Sequence, residues 1–168
     1  MKLFGSLLII FGCFSVGLYA ALNHKRQLFA LKKLLFLLDY MCCELRYKLA
    51  PLPEIFRNTA NQANGYYRTF FLDLANELDM QIIPDAQSCL TVVLQKHETI
   101  PACVKECLTE LGRTLGAFDL NGQLEGYAHT RAVCKEKLTA LEEGKEGRMR
   151  TYQTLGLCGG VALAVLLI

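Results

Sequence analysis

Two long apolar runs without a charged residue stand at the two ends of the chain, and they constrain the fold more than any other feature. The first fills most of residues 1–22 and reads LFGSLLIIFGCFSVGLYAAL, and the second fills 152–168 and reads YQTLGLCGGVALAVLLI. About 20 apolar residues span the roughly 30 Å hydrocarbon core of a bilayer, so the first run is long enough and the second is marginal. The sequence therefore predicts a transmembrane helix at 1–22, a second at 152–168 and a domain at 23–151 between them.

A cleaved signal peptide is the alternative interpretation of the first run. Lys2 gives a charged start, and Ala20 ends a short stretch that resembles a small-residue cleavage site. The apolar stretch is longer than the about 7 to 15 residues of a typical signal core, which favours a membrane span. An exported helical domain remains an alternative, which protease access from outside intact cells would decide.

Basic side chains flank both runs on the side that faces the middle of the chain. They are His24, Lys25, Arg26, Lys32 and Lys33 after the first run, and Lys145, Arg148 and Arg150 before the second. Short flanks rich in Lys and Arg stay in the cytoplasm, so we expect the middle domain there. The 8 cysteines are consistent with this location, because reduced thiols that pack as small apolar groups suit a cytoplasmic domain.

The middle segment has the periodicity of helices. In the first of these, apolar residues alternate at spacings of three and four, which predicts a buried seam. The seam consists of Leu28, Leu31, Leu35, Leu38, Cys42, Leu45 and Leu49. The helix should end at APLP, because Pro51 disfavours helical geometry at Ala50 and Pro53 fits the first turn of a new helix.

Turn signals divide the rest of the domain. Asn64-Gly65 predicts a turn, Pro84-Asp85 and Pro101 open helices, Gly116 can cap a helix end, and Asp119 is a good N-cap for a long last helix. We expect that last helix to bury Leu120, Leu124, Tyr127, Cys134, Leu138 and Leu141. The predicted fold is all-α: a bundle of about six helices between an N-terminal and a C-terminal transmembrane helix, with the two long helices antiparallel.

Catalytic motifs are missing from the sequence. GRTLGAFDLNG lacks the Lys-Ser/Thr ending of a phosphate loop, and no serine or cysteine stands in a nucleophile motif. The net charge of +2, without a basic patch interleaved with aromatic residues, gives no reason to expect nucleic acid. We therefore predict a protein that is not an enzyme, without cofactor, metal, small-molecule substrate or nucleic-acid partner.

A thiol or metal site is the alternative function. Cys103 and Cys107 stand four apart on one helix face, where His97 or His129 could complete a metal site of a membrane-tethered protein. Structural zinc sites usually have tighter Cys-x-x-Cys spacing, and free cysteines are usually core residues, so packing is the favoured interpretation. Bound metal in purified, reduced protein would favour the alternative.

Gly156 and Gly160 form a small-xxx-small pair in the second apolar run. Such a pair lets transmembrane helices approach closely, so we predict helix packing there. Glycine is also simply frequent in membrane helices, which is the alternative account.

In the order of these features, the chain resembles the stage III sporulation protein AB family of endospore-forming bacteria over essentially its whole length. The most specific segments are PLPEIF at residues 51–56 and, within GRTLGAFDLNGQ, the spaced residues Gly112, Leu115, Gly116, Asp119 and Gln123. The resemblance implies a non-catalytic platform or assembly component of the secretion-like complex that joins mother cell and forespore. It also implies a place in the mother-cell membrane around the forespore, and other stage III sporulation proteins as partners. The helical domain is similar in fold to the inner-membrane platform protein F of type II secretion and type IV pilus systems, a remoter analogy.

The turn at APLPEIF is the predicted docking surface. The seam that precedes it covers about 21 residues, which at 1.5 Å each would carry the chain roughly 30 Å from the bilayer. The residues proposed for interaction are Pro51, Pro53, Glu54, Phe56 and Arg57. In the family picture the candidate partner is the stage III sporulation AA ATPase, by analogy with the motors of secretion systems. The alternative is that the two prolines only make a turn.

Overall fold

The chain folds into six α-helices in the computed structural model, which describes the backbone of residues 2–80, 85–115 and 120–167. Side chains are described for residue 19 and for residues 22–80, 85–115 and 120–143. The helices are α1 (Lys2–Lys48), α2 (Leu52–Gln62), α3 (Tyr66–Met80), α4 (Ala86–Lys96), α5 (Ala102–Thr114) and α6 (Leu120–Leu167). Because no strand occurs in those described ranges, the prediction of an all-α fold with about six helices is confirmed.

Two compact units make up the chain. Unit 1 comprises Met1–Leu28 and Thr139–Ile168, and unit 2 comprises Phe29–Leu138. The long helices α1 and α6 each contribute residues to both units. Within unit 1, the ring nitrogen Nε2 of His24 lies 3.0 Å from the main-chain oxygen of Leu141, so a hydrogen bond joins α1 to α6 there.

The two predicted membrane spans belong to the outer parts of α1 and α6. Most side chains of 1–22, and all side chains of 152–168, lie outside the described residues, as does the predicted packing pair Gly156 and Gly160. Within the described residues, no helix combines the length and the apolar character that crossing a bilayer requires. The two spans therefore stay predictions.

The helix boundaries follow from local backbone chemistry. After α1 ends, Leu49 takes a left-handed conformation (φ 52°), which turns the chain out of the helix. Pro51 then caps α2 with an extended backbone, and its carbonyl accepts from the N–H groups of Glu54 and Ile55 at 3.0 and 3.1 Å. Pro53 lies in the first turn of α2, where its missing N–H costs nothing. The prediction that the two prolines end one helix and start another is confirmed.

The predicted turn before α3 and the predicted start of α4 are also confirmed. Gly65 has φ +62°, a conformation that glycine adopts without a Cβ penalty. Asp85 precedes α4 and accepts a hydrogen bond from the main-chain N–H of Ser88 at 3.1 Å, which makes it a side-chain N-cap. The predicted caps Gly116 and Asp119 lie outside the described residues.

Aromatic rings from α2 and α3 form the centre of the core of unit 2. Phe56 stacks on Phe71 at 5.9 Å between ring centroids, and Phe70 meets Phe71 edge to face at 5.1 Å. Tyr67 extends this cluster, and its hydroxyl donates to the main-chain oxygen of Ala30 at 2.8 Å. This hydrogen bond satisfies the buried hydroxyl and ties α3 to α1.

The buried face of α1 is wider than the predicted seam. Leu34, Leu37 and Met41 are fully buried although the seam omits them, whereas Leu49, its last predicted member, is 65% exposed. Leu35 and Cys42 of the seam are half-buried. The reason is that α1 bonds to Asn58 of α2, Tyr67 of α3 and Arg131 of α6 rather than to one helix, so its core face exceeds the narrow two-position stripe of a coiled coil.

The seam predicted for α6 is partly wrong. Tyr127 and Cys134 are buried as expected, but Leu120 is 40% exposed. The spacing also omits Thr130, which is completely buried on the same helix. Gly126 is buried too, and it lies directly against Thr114 of α5. Helix α6 therefore packs through small residues as well as through the large residues that the periodicity marks.

Candidate functional site

The predicted docking surface is the turn between α1 and α2 together with the first turns of α2. Pro51, Glu54 and Arg57 are exposed and Pro53 is half-buried. Glu54 lies in the first turn of α2, where the positive end of the helix dipole favours a carboxylate. The exposed residues of the turn therefore form a small polar surface that carries one negative and one positive charge.

Phe56 does not belong to that surface. Its side chain and that of Ile55 are both 0% exposed. Phe56 lies in the aromatic core of unit 2, stacked on Phe71 of α3. The apolar residues that follow the prolines therefore hold α2 on the domain, and the prediction that Phe56 belongs to the docking surface is corrected.

Arg57 has a structural partner on α3. Its guanidinium forms an ion pair with the carboxylate of Asp79, and both side chains are nearly half exposed, at 47% and 40%. Exposed pairs of this kind contribute about 0 to 1 kcal/mol to folding. A change of Arg57 therefore also removes a contact between α2 and α3. Any test of docking has to distinguish the resulting loss of stability from a loss of binding.

A buried carboxylate lies close to this turn, and it was not predicted from the sequence. Glu44 of α1 is 6% exposed. Its Oε1 accepts from Nζ of Lys48 at 2.7 Å, and its Oε2 accepts from Nδ2 of Asn58 of α2 at 3.0 Å. The hydrogen bond from Lys48 holds the pKa of Glu44 below its usual value, and Asn58 acts in the same direction. Glu44 thereby fixes the end of α1 to α2, and the Glu44/Lys48 spacing of four was the available signal.

The cysteines of α5 lie in a thiol cluster with a cysteine of α6. Cys107 and Cys134 are fully buried, whereas Cys103 is half-buried. The hydrogen bond between the thiols of Cys107 and Cys134, together with burial, raises the pKa of the Cys134 thiol. Burial likewise raises the pKa of Cys103. The same hydrogen bond lowers the pKa of the Cys107 thiol, but Cys107 is fully buried, and a buried thiol packs as a small apolar group. The raised pKa values of Cys103 and Cys134 disfavour the thiolate, which is the reactive and metal-binding form. This cluster therefore has the character of core packing.

Neither candidate histidine joins these thiols in a metal site. Nε2 of His97 lies 2.8 Å from Oδ2 of Asp73, and the imidazole meets the ring of Phe70 edge to face at 5.8 Å. His129 lies on α6 with Nε2 3.6 Å from Oε1 of Glu110. In the part of the chain that is described, no three or more His, Cys, Asp or Glu side chains are arranged to hold a metal ion.

Comparisons with known proteins identify the fold and the family. The solved structure of "Stage III sporulation protein AB (SpoIIIAB)" matches with a TM-score of 0.64 and 20% sequence identity, over 73% of this chain and 98% of that chain. A comparison with curated proteins gave no match. The family described as "Stage III sporulation protein AB" matches residues 2–168. The resemblance noted from PLPEIF and the glycine-containing segment is thus confirmed, and the chain belongs to the stage III sporulation protein AB family.

Proposed function

We propose that this chain is a non-catalytic assembly component of a sporulation membrane complex. It is anchored by 1–22 and 152–168, and its helical domain lies in the cytoplasm. Its role is to hold other stage III sporulation proteins at the membrane around the forespore. The observation that carries the proposal is the match of the family to nearly the entire chain, at residues 2–168, which includes both apolar ends.

The two long helices support the anchoring. Helix α1 runs without a break from Lys2 to Lys48, and α6 runs from Leu120 to Leu167. Each of them contains one of the uncharged apolar runs and a part of the packed domain. An uninterrupted helix has no exposed backbone polar groups along its length, which is the requirement for a segment in a bilayer. A pair of such helices is well suited to connect a membrane anchor with a docking domain.

The domain has the properties of a scaffold for binding. Aromatic stacking and the buried hydrogen bonds of Glu44 hold its core together, and Cys89, Cys107 and Cys134 are buried. Binding residues on a rigid helical support need little reorganisation when a partner docks, which favours affinity. We assign the exposed residues Glu54 and Arg57 to the surface that meets a cytoplasmic partner, with the AA ATPase as the candidate.

The topology can be tested with a thiol reagent that does not cross membranes. Cys43 is exposed on α1 and reports on the domain, and a Lys2→Cys variant reports on the N-terminal end. In right-side-out membrane vesicles from cells that make this chain without its sporulation partners, we expect the cysteine at position 2 to be labelled and Cys43 to be protected. In inverted vesicles we expect the reverse. Peptide mass spectrometry identifies the labelled position. Labelling of Cys43 in right-side-out vesicles would place the domain outside and refute the proposed arrangement.

The docking role can be tested with two variants and matched controls. Glu54→Lys should lower capture of the AA ATPase and spore yield, whereas Glu136→Lys, the same change at an exposed position of α6, should not. Arg57→Ala and Asp79→Ala remove the same ion pair, so both should cost the same small amount of stability. A fall in capture for Arg57→Ala but not for Asp79→Ala would show that the guanidinium contacts the partner. Wild-type capture in all four variants would exclude this turn as the docking surface.

A further inference from the structure

A row of exposed apolar side chains runs along the outer face of α1 within unit 2. Phe29 is 74% exposed, Phe36 is 51% exposed and Tyr47 is 79% exposed. Cys43 is exposed between the last two. Residues that are four or seven apart share one face of an α-helix, so these four residues form a single stripe, here called the outer stripe of α1. At 1.5 Å per residue the outer stripe is about 27 Å long.

The outer stripe is unusual for the surface of this unit. Elsewhere among the described residues of unit 2, the large apolar side chains that are exposed are Leu49, Met80 and Leu120, each at or next to a helix end. Apolar side chains scattered singly are normal on a soluble surface, whereas a contiguous row marks an interaction site. With about 200 Å² for each aromatic side chain, the three rings expose on the order of 400 Å². That is about half of what one partner contributes to a standard interface.

The charges beside the outer stripe are mostly basic. Lys32 and Arg46 are exposed on one side of it. Lys33 lies on the other side, with Nζ 4.9 Å above the centre of the Phe36 ring. The acidic residue on this face is Asp39, whose Oδ1 is bound by Nε of Arg131 at 2.6 Å. A partner therefore meets an apolar row with positive edges.

We propose that the outer stripe of α1 is the docking surface for an acidic amphipathic helix of another protein of the assembly. That helix carries apolar residues at heptad spacing, which fill the gaps between Phe29, Phe36 and Tyr47. Its flanking Asp and Glu residues face Lys32 and Arg46. Charge complementarity of this kind favours the correct partner and sets the register of two packed helices. The inference rests on the proposed function, because it names the chemistry of one partner of that assembly.

Two other occupants fit the face less well. In a second copy of this chain, packed in parallel from the same membrane, Lys32 on one side of the stripe would face Lys33 on the other side of the partner's stripe, and like charges across an interface are unfavourable. A bilayer surface would also attract apolar and basic side chains. However, α1 is one continuous helix from Lys2 to Lys48, and in the proposed arrangement its first part spans the membrane. A helix that leaves the bilayer in this way cannot also lie along the bilayer surface.

Site-specific photo-crosslinking tests the proposal in sporulating cells that depend on the full-length variant. The probe is p-benzoylphenylalanine, placed at Phe36 or at Tyr47, where an aromatic ring is already exposed. The control position is Gln87, exposed on α4. We expect crosslinks at 36 and 47, but not at 87, to a segment of another protein with heptad-spaced apolar residues and flanking Asp or Glu. Sequencing of the crosslinked peptides identifies the occupant. Crosslinks to a second copy, to lipid or to a segment without acidic residues would overturn the proposal, as would a yield no higher than at Gln87.

A charge variant tests the electrostatic part separately. Lys32→Glu with Arg46→Glu should lower the crosslink yield at Tyr47 by about fivefold, the effect expected from the loss of two exposed ion pairs. Arg68→Glu with Lys96→Glu makes the same charge change on α3 and α4 and should leave the yield unchanged, and melting temperatures verify that all variants fold. An equal yield in both double variants would refute the assignment of an acidic partner. If crosslinking fails although the unmodified chain restores sporulation and has the predicted topology, the outer-stripe proposal falls and the proposed function stands.

Discussion

Gly126 provides a sharp test of how α6 packs on α5. A Cβ added at this position would lie against the side chain of Thr114, with Oγ1 at 2.5 Å and Cγ2 at 3.1 Å. The contact also involves the Cβ of Thr114, which is fixed to the backbone, so a rotation of the side chain cannot relieve it. Ordinary carbon contacts need about 3.5 to 4.0 Å, which means that the two helices have to move apart by about an ångström in the Gly126→Ala variant.

Two opposing effects determine how much folding stability the Gly126→Ala variant loses. Overpacking of a filled interior costs about 1 to 3 kcal/mol, and a rigid backbone-attached neighbour places this case in the upper half of that range. Alanine is better than glycine within a helix by about 1 kcal/mol, which offsets part of the cost. We expect Gly126→Ala to lower the free energy of unfolding by about 1 to 2 kcal/mol. For a unit of this size that corresponds to a fall in Tm of about 4 to 8 °C.

The assay is thermal unfolding of the purified full-length chain in detergent, followed by circular dichroism. Gly112→Ala is the matched control, because its added Cβ meets the flexible end of Leu90 at 3.3 Å, so its Tm should stay or rise. Thr114→Gly removes the obstructing atoms, and in that background Gly126→Ala should cost nothing. A raised Tm for Gly126→Ala alone, or an equal loss in both backgrounds, would refute the close approach of the two helices.

Two further predictions concern buried polar groups. Because the pKa of Glu44 is lowered in the folded state by Lys48, its contribution to stability is present above the unfolded pKa of about 4.3 and is lost as the pH falls through the lower folded pKa. Glu44→Gln should therefore reduce stability at neutral pH and flatten the fall of Tm between about pH 5 and pH 3; an unchanged profile would contradict this. Tyr67→Phe removes the hydroxyl that donates to Ala30 and should cost about 1 kcal/mol in urea unfolding. Tyr47→Phe, at a position that is 79% exposed, should cost nearly nothing, and equal costs would show that the buried hydrogen bond contributes no stability.

Helix boundaries were predictable where one or two residues determine the backbone. Pro51 and Pro53 exclude a continuous helix whatever surrounds them, Gly65 supplies a positive φ, and Asp85 caps its helix with its own side chain. Each of these signals is local in the chain, so the structure confirms the turns that they predict. The family was also predictable, because its motifs are short and specific in sequence.

The faces of the helices were less predictable, because they depend on neighbours that are distant in sequence. In α1, leucines stand on nearly every side, so a spacing of three and four can be drawn through Leu35 as easily as through Leu34. Only the positions of α2, α3 and α6 decide which of the two is buried. Phe56 was assigned to the surface for the same reason, since nothing near it in sequence indicates that Phe71 covers it. The partner of Glu44 on α2, Asn58, was likewise not evident.

The aromatic cluster of α2 and α3 has a consequence for the order of folding. Phe56 and Phe71 belong to neighbouring helices that are joined by the short turn at Gly65, so their contact closes only a small loop of chain. Contacts that close small loops form early, whereas α1 and α6 come from opposite ends of the chain and lose more entropy when they meet. We therefore expect the α2–α3 hairpin to form first and to provide the apolar template on which α1 and then α6 assemble. In pulse-labelling hydrogen exchange, the amides of α2 and α3 should gain protection before those of α6. During synthesis, this would leave the nascent chain with a partly built core until its last helix has emerged.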